Sequence, residues 1–232
     1  NNGGAITFIG DRWELNNTYT PGTDNAARSN LRGDRAMVVF YGNVFTTYFD
    51  RYRFAGYVDV YIDGDYKGRV DTRAVTPTYK IPFTVGALDE GMHTAELIVY
   101  SGYVHIDAFE VRTLQPSTMP TYDLINDTTL EVHPEVILSG EWTRNGQYLQ
   151  TLEAGASLLM YVTGADTLFM TRQLLRGYNN IEIYVNGELY NTAEALYTYY
   201  MSDPTEEYVV SGLKGMETEG YWIEIKNPSR RY

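Results

Sequence analysis

The chain has 232 residues, 44% of them hydrophobic, and its 18 basic and 30 acidic residues leave a net charge of −12. That balance argues against nucleic acid and anionic membrane surfaces as partners, because the phosphate term is repulsive overall. Its apolar runs are too short for membrane insertion. No Cys is present, which excludes disulfides and thiolate metal sites. With no initiator Met, signal-peptide pattern or lipidation signal, the expectation is a processed mature form or an excised segment.

Short alternating runs rich in Val, Ile, Tyr and Thr, separated by turn residues and lacking helical periodicity, predict an all-β fold. In chain order the first strands are expected near 5–10, 36–41, 43–49, 57–62, 66–71, 77–83, 93–100 and 102–112. Residues 114–123 carry Pro116 and Pro120 and little apolar content, as a linker does. Further strands are expected near 135–139, 157–163, 165–171, 180–185, 189–198, 206–212 and 220–226.

Several landmarks occur twice in the same order. Trp13 and Trp142 come first, then the apolar stretches Ala36 to Gly42 and Ser157 to Gly164. Next come the alternating runs Tyr57 to Ile62 and Asn180 to Val185, closed by Asp63-Gly64 and Asn186-Gly187. Both closing pairs favour positive φ and so a two-residue hairpin turn, with Tyr61 and Tyr184 in equivalent places. Duplication predicts two domains, 1–113 and 124–232, joined by the 114–123 linker. Residues 1–113 carry 11 basic and 14 acidic residues, so the later part is the more acidic. A large residue recurring in both copies, as each Trp does, reads as core.

Gly91 to Tyr100 followed by Tyr103 to Val111 resembles the closing strands of galactose-binding-like jelly-roll modules. These are similar to carbohydrate-binding modules appended to bacterial and archaeal surface proteins and polysaccharide-degrading enzymes. With Phe40 to Val44 and the Val58-to-Gly64 hairpin, the resemblance covers most of 36–112. It implies two tandem antiparallel jelly-roll β-sandwich domains, a secreted or cell-surface location, and binding of a polysaccharide or other glycan. It also implies a structural calcium, with Asp107 in the last strand as a ligand and the loop holding Asp24 as a further oxygen source.

Catalytic motifs are not expected: there are three His, none in metal-ligand spacing, and no phosphate loop or nucleophile elbow. His105 and Asp107 alternate onto one strand face, which permits a hydrogen bond between them. The apolar set then shifts from Ile106 to Phe109, which predicts a bulge near Ala108. The binding candidates lie in the run Tyr48, Asp50, Arg51, Tyr52 and Arg53, since sugar faces stack on rings while Arg and Asp meet hydroxyls or carboxylates. The alternative for that run is a capped barrel end with surface ion pairs. Arg172, Arg176 and Tyr178 are the second copy's counterparts. The tyrosines at 197, 199 and 200 suggest either a glycan platform or an intersubunit surface.

After Lys226 the second copy has no counterpart of the 102–112 strand. The open edge is filled either in cis by residues 122–132 or by another protomer's strand, the alternating stretch from Asn1 to Gly10 being the best donor. The second route makes the protein a self-associating subunit of a filament, surface layer or virion, the alternative to an adhesive or carbohydrate-binding role.

Overall fold

A computed structural model describes residues 3–15, 26–115, 136–145, 148–163, 167–173, 180–193, 205–210, 213 and 220–228. By internal contacts the chain divides into two compact units, Asn1–Thr113 and Leu114–Tyr232. Of the expected linker, residues 116–123 lie outside the described residues, as does 122–132.

Among the described residues the first unit holds nine strands: β1 (Gly3–Ile9), β2 (Ala27–Ser29), β3 (Arg35–Gly42), β4 (Val44–Arg51), β5 (Tyr57–Ile62), β6 (Asp65–Asp71), β7 (Thr78–Val85), β8 (Gly91–Ser101) and β9 (Val104–Arg112). They form a five-stranded sheet, β1-β3-β8-β5-β6, and a four-stranded sheet, β2-β9-β4-β7, all paired antiparallel. Alternation sends one set of side chains inward from each sheet. Val38, Phe40, Val60 and Leu97 from the larger sheet meet Phe45, Phe49, Val104 and Ile106 from the smaller, closing a jelly-roll sandwich. Phe40 and Phe45 stack across the two layers at 5.1 Å.

The second unit repeats the larger sheet with β10 (Ile137–Ser139), β13 (Ser157–Val162), β15 (Ile181–Val185), β16 (Glu188–Ala193) and β18 (Tyr221–Lys226), in the order β10-β13-β18-β15-β16. Short strands β11 (Thr143–Asn145) and β12 (Tyr148–Gln150) pair with each other, as do β14 (Leu168–Gln173) and β17 (Thr205–Val210). In chain order β11 and β12 fall where the first unit has β2, and β14 and β17 fall where it has the paired strands β4 and β7. Among the described residues no strand flanks β14 as β9 flanks β4.

Duplication extends to individual hydrogen bonds. Asp63 and Asn186 both take positive φ, 53° and 50°, as a two-residue turn into β6 or β16 requires. In each copy the turn side chain accepts a backbone N–H from the neighbouring strand, Thr94 to Asp63 at 2.8 Å and Trp222 to Asn186 at 2.9 Å. Tyr61 lies opposite Glu96 and Tyr184 opposite Glu224, each just after a register shift. Trp13 and Trp142 donate from Nε1 to Ile9 and Ser139 carbonyls, at the ends of equivalent edge strands, and both pack half-buried against their cores.

One expectation is altered. The stretch considered as a strand donor is, over Gly3–Ile9, already the edge strand of its own unit, paired with β3 from Gly3↔Phe40 to Ile9↔Arg35. Of the run 189–198 the described part is strand through Ala193, and the remainder, with the tyrosines at 197, 199 and 200, lies outside the described residues.

Candidate functional site

Strand β4 is buried on both faces, which a sandwich strand with one face to solvent is not. Its inward set, Phe45, Thr47, Phe49 and Arg51, belongs to the core side. Its outward set, Thr46, Tyr48 and Asp50, is covered by flanking strands through cross-strand pairs. Thr46 lies opposite Glu110 and Thr84, Tyr48 opposite Ala108 and Pro82, and Asp50 opposite His105.

Two irregularities shape the end of this face. Between Tyr48↔Ala108 and Phe49↔Ile106, β9 carries one extra residue, Asp107, which is the bulge the sequence predicts. On the other flank the pairing jumps from Phe49↔Ile81 to Arg51↔Thr78, leaving Tyr79 and Lys80 outside the ladder. Lys80 has φ 55°, a left-handed conformation that costs a non-glycine residue about 1–2 kcal/mol. Asp50 holds that bulge: its Oδ1 accepts the Lys80 N–H at 3.0 Å.

Asp50 is fully buried, and its Oδ2 has no hydrogen-bond partner. Burial raises its pKa and the Asp107 carboxylate adds to the shift, against the Lys80 N–H, the Tyr52 hydroxyl and the Lys80 charge. Opposite it, the buried His105 has an unpartnered Nδ1, and burial with the nearby Arg28 charge lowers its pKa to about 4. The ring is therefore neutral at neutral pH. Aromatic rings gather around it. Tyr52 lies 4.9 Å from His105 and 6.0 Å from Tyr79, and Tyr103 lies 6.3 Å from His105. Tyr79 and Tyr103 are each 38% exposed, so part of each ring faces solvent. Arg28, paired with His105 across β2 and β9, sits 5.3 Å over the Tyr103 ring and bonds Glu14 at 2.6 Å.

The sequence-predicted residues divide. Tyr52 joins this cluster, and Arg53 follows it in the turn after β4, over the Phe54 ring. Tyr48 does not offer its hydroxyl to a ligand: it donates to Glu110 at 2.8 Å, and Arg112 holds Glu110 from the other side at 2.5 Å. Burial and the Glu110 carboxylate raise the Tyr48 pKa to about 12. Arg51 is buried on the inward face, and Asp50 lies beneath the surface. The His105–Asp107 hydrogen bond is not formed, because the bulge removes Asp107 from the alternation; its carboxylate lies 3.9 Å from the Lys80 ammonium instead. Arg176, Tyr178 and Asp24 lie outside the described residues, as does the side chain of Arg172 on β14. Glu14, Arg28, Tyr79, Lys80 and Tyr103 are the members that sequence reasoning missed.

Among the described residues no three His, Asp or Glu side chains converge as a metal group. Asp107 comes with one other carboxylate, the buried Asp50, and with a lysine. That donor set does not by itself fit calcium, which takes six to eight oxygens.

No family model matches the chain. An A type blood alpha-D-galactosamine galactosaminidase from Flavonifractor plautii is 24% identical over 164 residues, 71% of this chain. The chain spans only 15% of that relative's length. Solved structures similar to the chain include carbohydrate-binding modules. The CBM36-1 domain of a multidomain xylanase from the hindgut metagenome of Trinervitermes trinervoides is 18% identical, covers 45% of this chain and 94% of its own, and gives a TM-score of 0.34. The CBM22-1–CBM22-2 tandem of Paenibacillus barcinonensis Xyn10C is 9% identical, covers 97% of this chain and 86% of its own, and gives a TM-score of 0.36.

Proposed function

We propose that the chain is a non-catalytic carbohydrate-binding segment of an extracellular or cell-surface protein, with its ligand on the outer face of the β2-β9-β4-β7 sheet. The carrying observation is the row of rings Tyr79, Tyr52, His105 and Tyr103, each in contact with the next and the histidine neutral. Partly exposed rings on a rigid sheet stack against the apolar faces of sugars. Arg28 and Lys80 at the rim supply directional donors to hydroxyls. The raised pKa of Asp50 resembles that of a general acid, but a carboxyl with no exposed surface cannot reach a glycosidic oxygen. Calcium stays in this reading with Asp107 and Asp24 as its candidate carboxylates; Asp24 lies outside the described residues.

The test is a glycan array followed by titration calorimetry with wild type, Tyr103→Ala and Tyr79→Ala. Loss of stacking worth about 0.5–1.5 kcal/mol per ring lowers affinity roughly two- to twelvefold with an unchanged melt. Silence of the wild type across plant, algal and bacterial glycans removes the proposal.

A second reading, a self-associating structural subunit of a filament, surface layer or virion, draws on the outer face of the larger sheet. There Val39, Tyr41 and Met92 are exposed, Tyr41 and Met92 directly opposite each other. The smaller sheet's edge is poorly suited to strand addition, since β7 carries Lys80 and Pro82. Sedimentation of the full chain at increasing concentration separates the two readings.

A further inference from the structure

The turn between β4 and β5 projects Arg53 and Phe54 beyond the tyrosine cluster, and it is firmly held. The Tyr52 N–H donates to the Thr72 carbonyl at 3.1 Å, while the Tyr52 carbonyl accepts the Ala55 and Ala74 N–H groups at 3.1 and 3.0 Å. Tyr52 also bridges to Arg73 and Ala55 to Tyr103, so this tip is fixed to the segment after β6 and to the start of β9. On that base Phe54 is 82% exposed, with the Arg53 guanidinium 5.8 Å from its ring centre. A phenylalanine held open to water on a braced turn forgoes the burial that normally stabilises it.

The charge pattern at this end adds a second observation. Arg28 is paired with Glu14 at 2.6 Å, Arg73 with Asp71 at 2.9 Å, and Lys80 with Asp107 at 3.9 Å. Arg51 is buried, with Asp71 acting on it electrostatically. Among the described residues Arg53 has no carboxylate partner, and its recorded contact is the Phe54 ring. Among the described residues at this end, one surplus cation thus stands beside one surplus ring, in a chain whose overall charge is −12.

Resting on the carbohydrate-binding reading above, we propose that Arg53 and Phe54 form an outer subsite for an anionic sugar residue, bearing either a carboxylate or a sulfate ester. A pyranose face covers the Phe54 ring while the guanidinium fork meets the acidic group, a geometry that a lysine would not reproduce. The Phe54 contact is blind to charge and the Arg53 contact reads it. The long-range field of an acidic chain does not prevent this, because screening at physiological salt acts over about 8 Å.

The test uses the full chain and matched ligands: an oligogalacturonate and its methyl ester, and a sulfated galactan oligosaccharide and its desulfated form. Calorimetry on wild type, Arg53→Gln, Arg53→Lys and Phe54→Ala reads the affinities, with thermal melts confirming folding. The proposal expects at least one charged ligand to bind about tenfold more tightly than its uncharged match, as a charge-assisted pair contributes. Arg53→Gln abolishes that preference and leaves the uncharged match unaffected, Arg53→Lys restores it only in part, and Phe54→Ala weakens both. Preference within the galacturonate pair identifies a carboxylate, and preference within the galactan pair a sulfate. Equal affinity for charged and uncharged forms, or an Arg53→Gln loss equal on both, overturns the subsite. If uncharged glycans still bind and lose affinity in Tyr103→Ala, the broader reading survives that failure. Absence of binding to any glycan overturns both.

Discussion

Replacing Asp50 with Asn separates the cost of this buried carboxylate from its use. Oδ1 is satisfied by the Lys80 N–H at 3.0 Å, and Oδ2 is sealed from solvent without a partner. An unsatisfied buried acceptor costs about 1–3 kcal/mol, more when it is charged. Asn keeps one acceptor for Lys80 and turns an amide donor towards the space in which the Asp107 charge acts. Asp50→Asn is therefore expected to stabilise the first unit by about 1–2 kcal/mol at pH 7. The pH dependence follows from the raised folded-state pKa. The folded carboxyl holds its proton more tightly than the unfolded one, so wild-type stability falls as pH rises above the ordinary aspartate value of 3.8. Below that value Asp50 is protonated in both states and the advantage of Asn disappears. Urea unfolding of both proteins from pH 3 to 8 measures the difference curve. A destabilised Asp50→Asn at pH 7, or a difference that does not vary with pH, refutes the assignment of a buried carboxylate whose burial outweighs the help of Lys80 and Tyr52.

His93 bonds the Asp63 carboxylate at 2.6 Å and the Asp89 carbonyl at 2.8 Å; burial opposes its charge, but these partners outweigh it and raise its pKa. Its contribution to stability is fully present below the unfolded value of 6.5 and is lost as pH rises through the folded value, so His93→Gln flattens the stability curve near neutral pH; an unchanged curve refutes the pairing. At Gly56 an added Cβ would lie 1.7 Å from the Ser101 carbonyl oxygen, so Gly56→Ala forces the β4–β5 turn away from the β8–β9 turn. That substitution is expected to lower the melting temperature and weaken glycan binding, and a wild-type melt counts against the close approach. Phe49→Ala removes a fully buried ring between the sheets and is expected to cost about 3–5 kcal/mol in denaturant unfolding; a loss below about 1 kcal/mol contradicts the core described for the first unit.

The fold was legible where local chemistry and periodicity agree. Asp63-Gly64 and Asn186-Gly187 encode their positive φ directly, and both hairpins form with matching hydrogen bonds. The shift from Ile106 to Phe109 disclosed the bulge because alternation has a strict period of two. Strands β2, β11 and β12 escaped because three residues carry no measurable period. The site was less legible because its members meet across strands. Nothing local to Tyr48 shows that Glu110, 62 residues later, takes its hydroxyl. Nor does the run after Pro77 show that Lys80 leaves the ladder in a left-handed conformation, carrying Tyr79 towards Tyr52. His105 and Asp107 were paired by an alternation that the bulge itself interrupts.

The most direct test of the binding face is a nuclear magnetic resonance titration of the full chain with the best ligand from the glycan array, following the tyrosine and histidine ring signals. The proposed site predicts saturable shifts at Tyr52, Tyr79, Tyr103 and His105, with the outer face of the larger sheet at Val39, Tyr41 and Met92 unmoved. Shifts confined to that larger-sheet face, with the four rings silent, would contradict it.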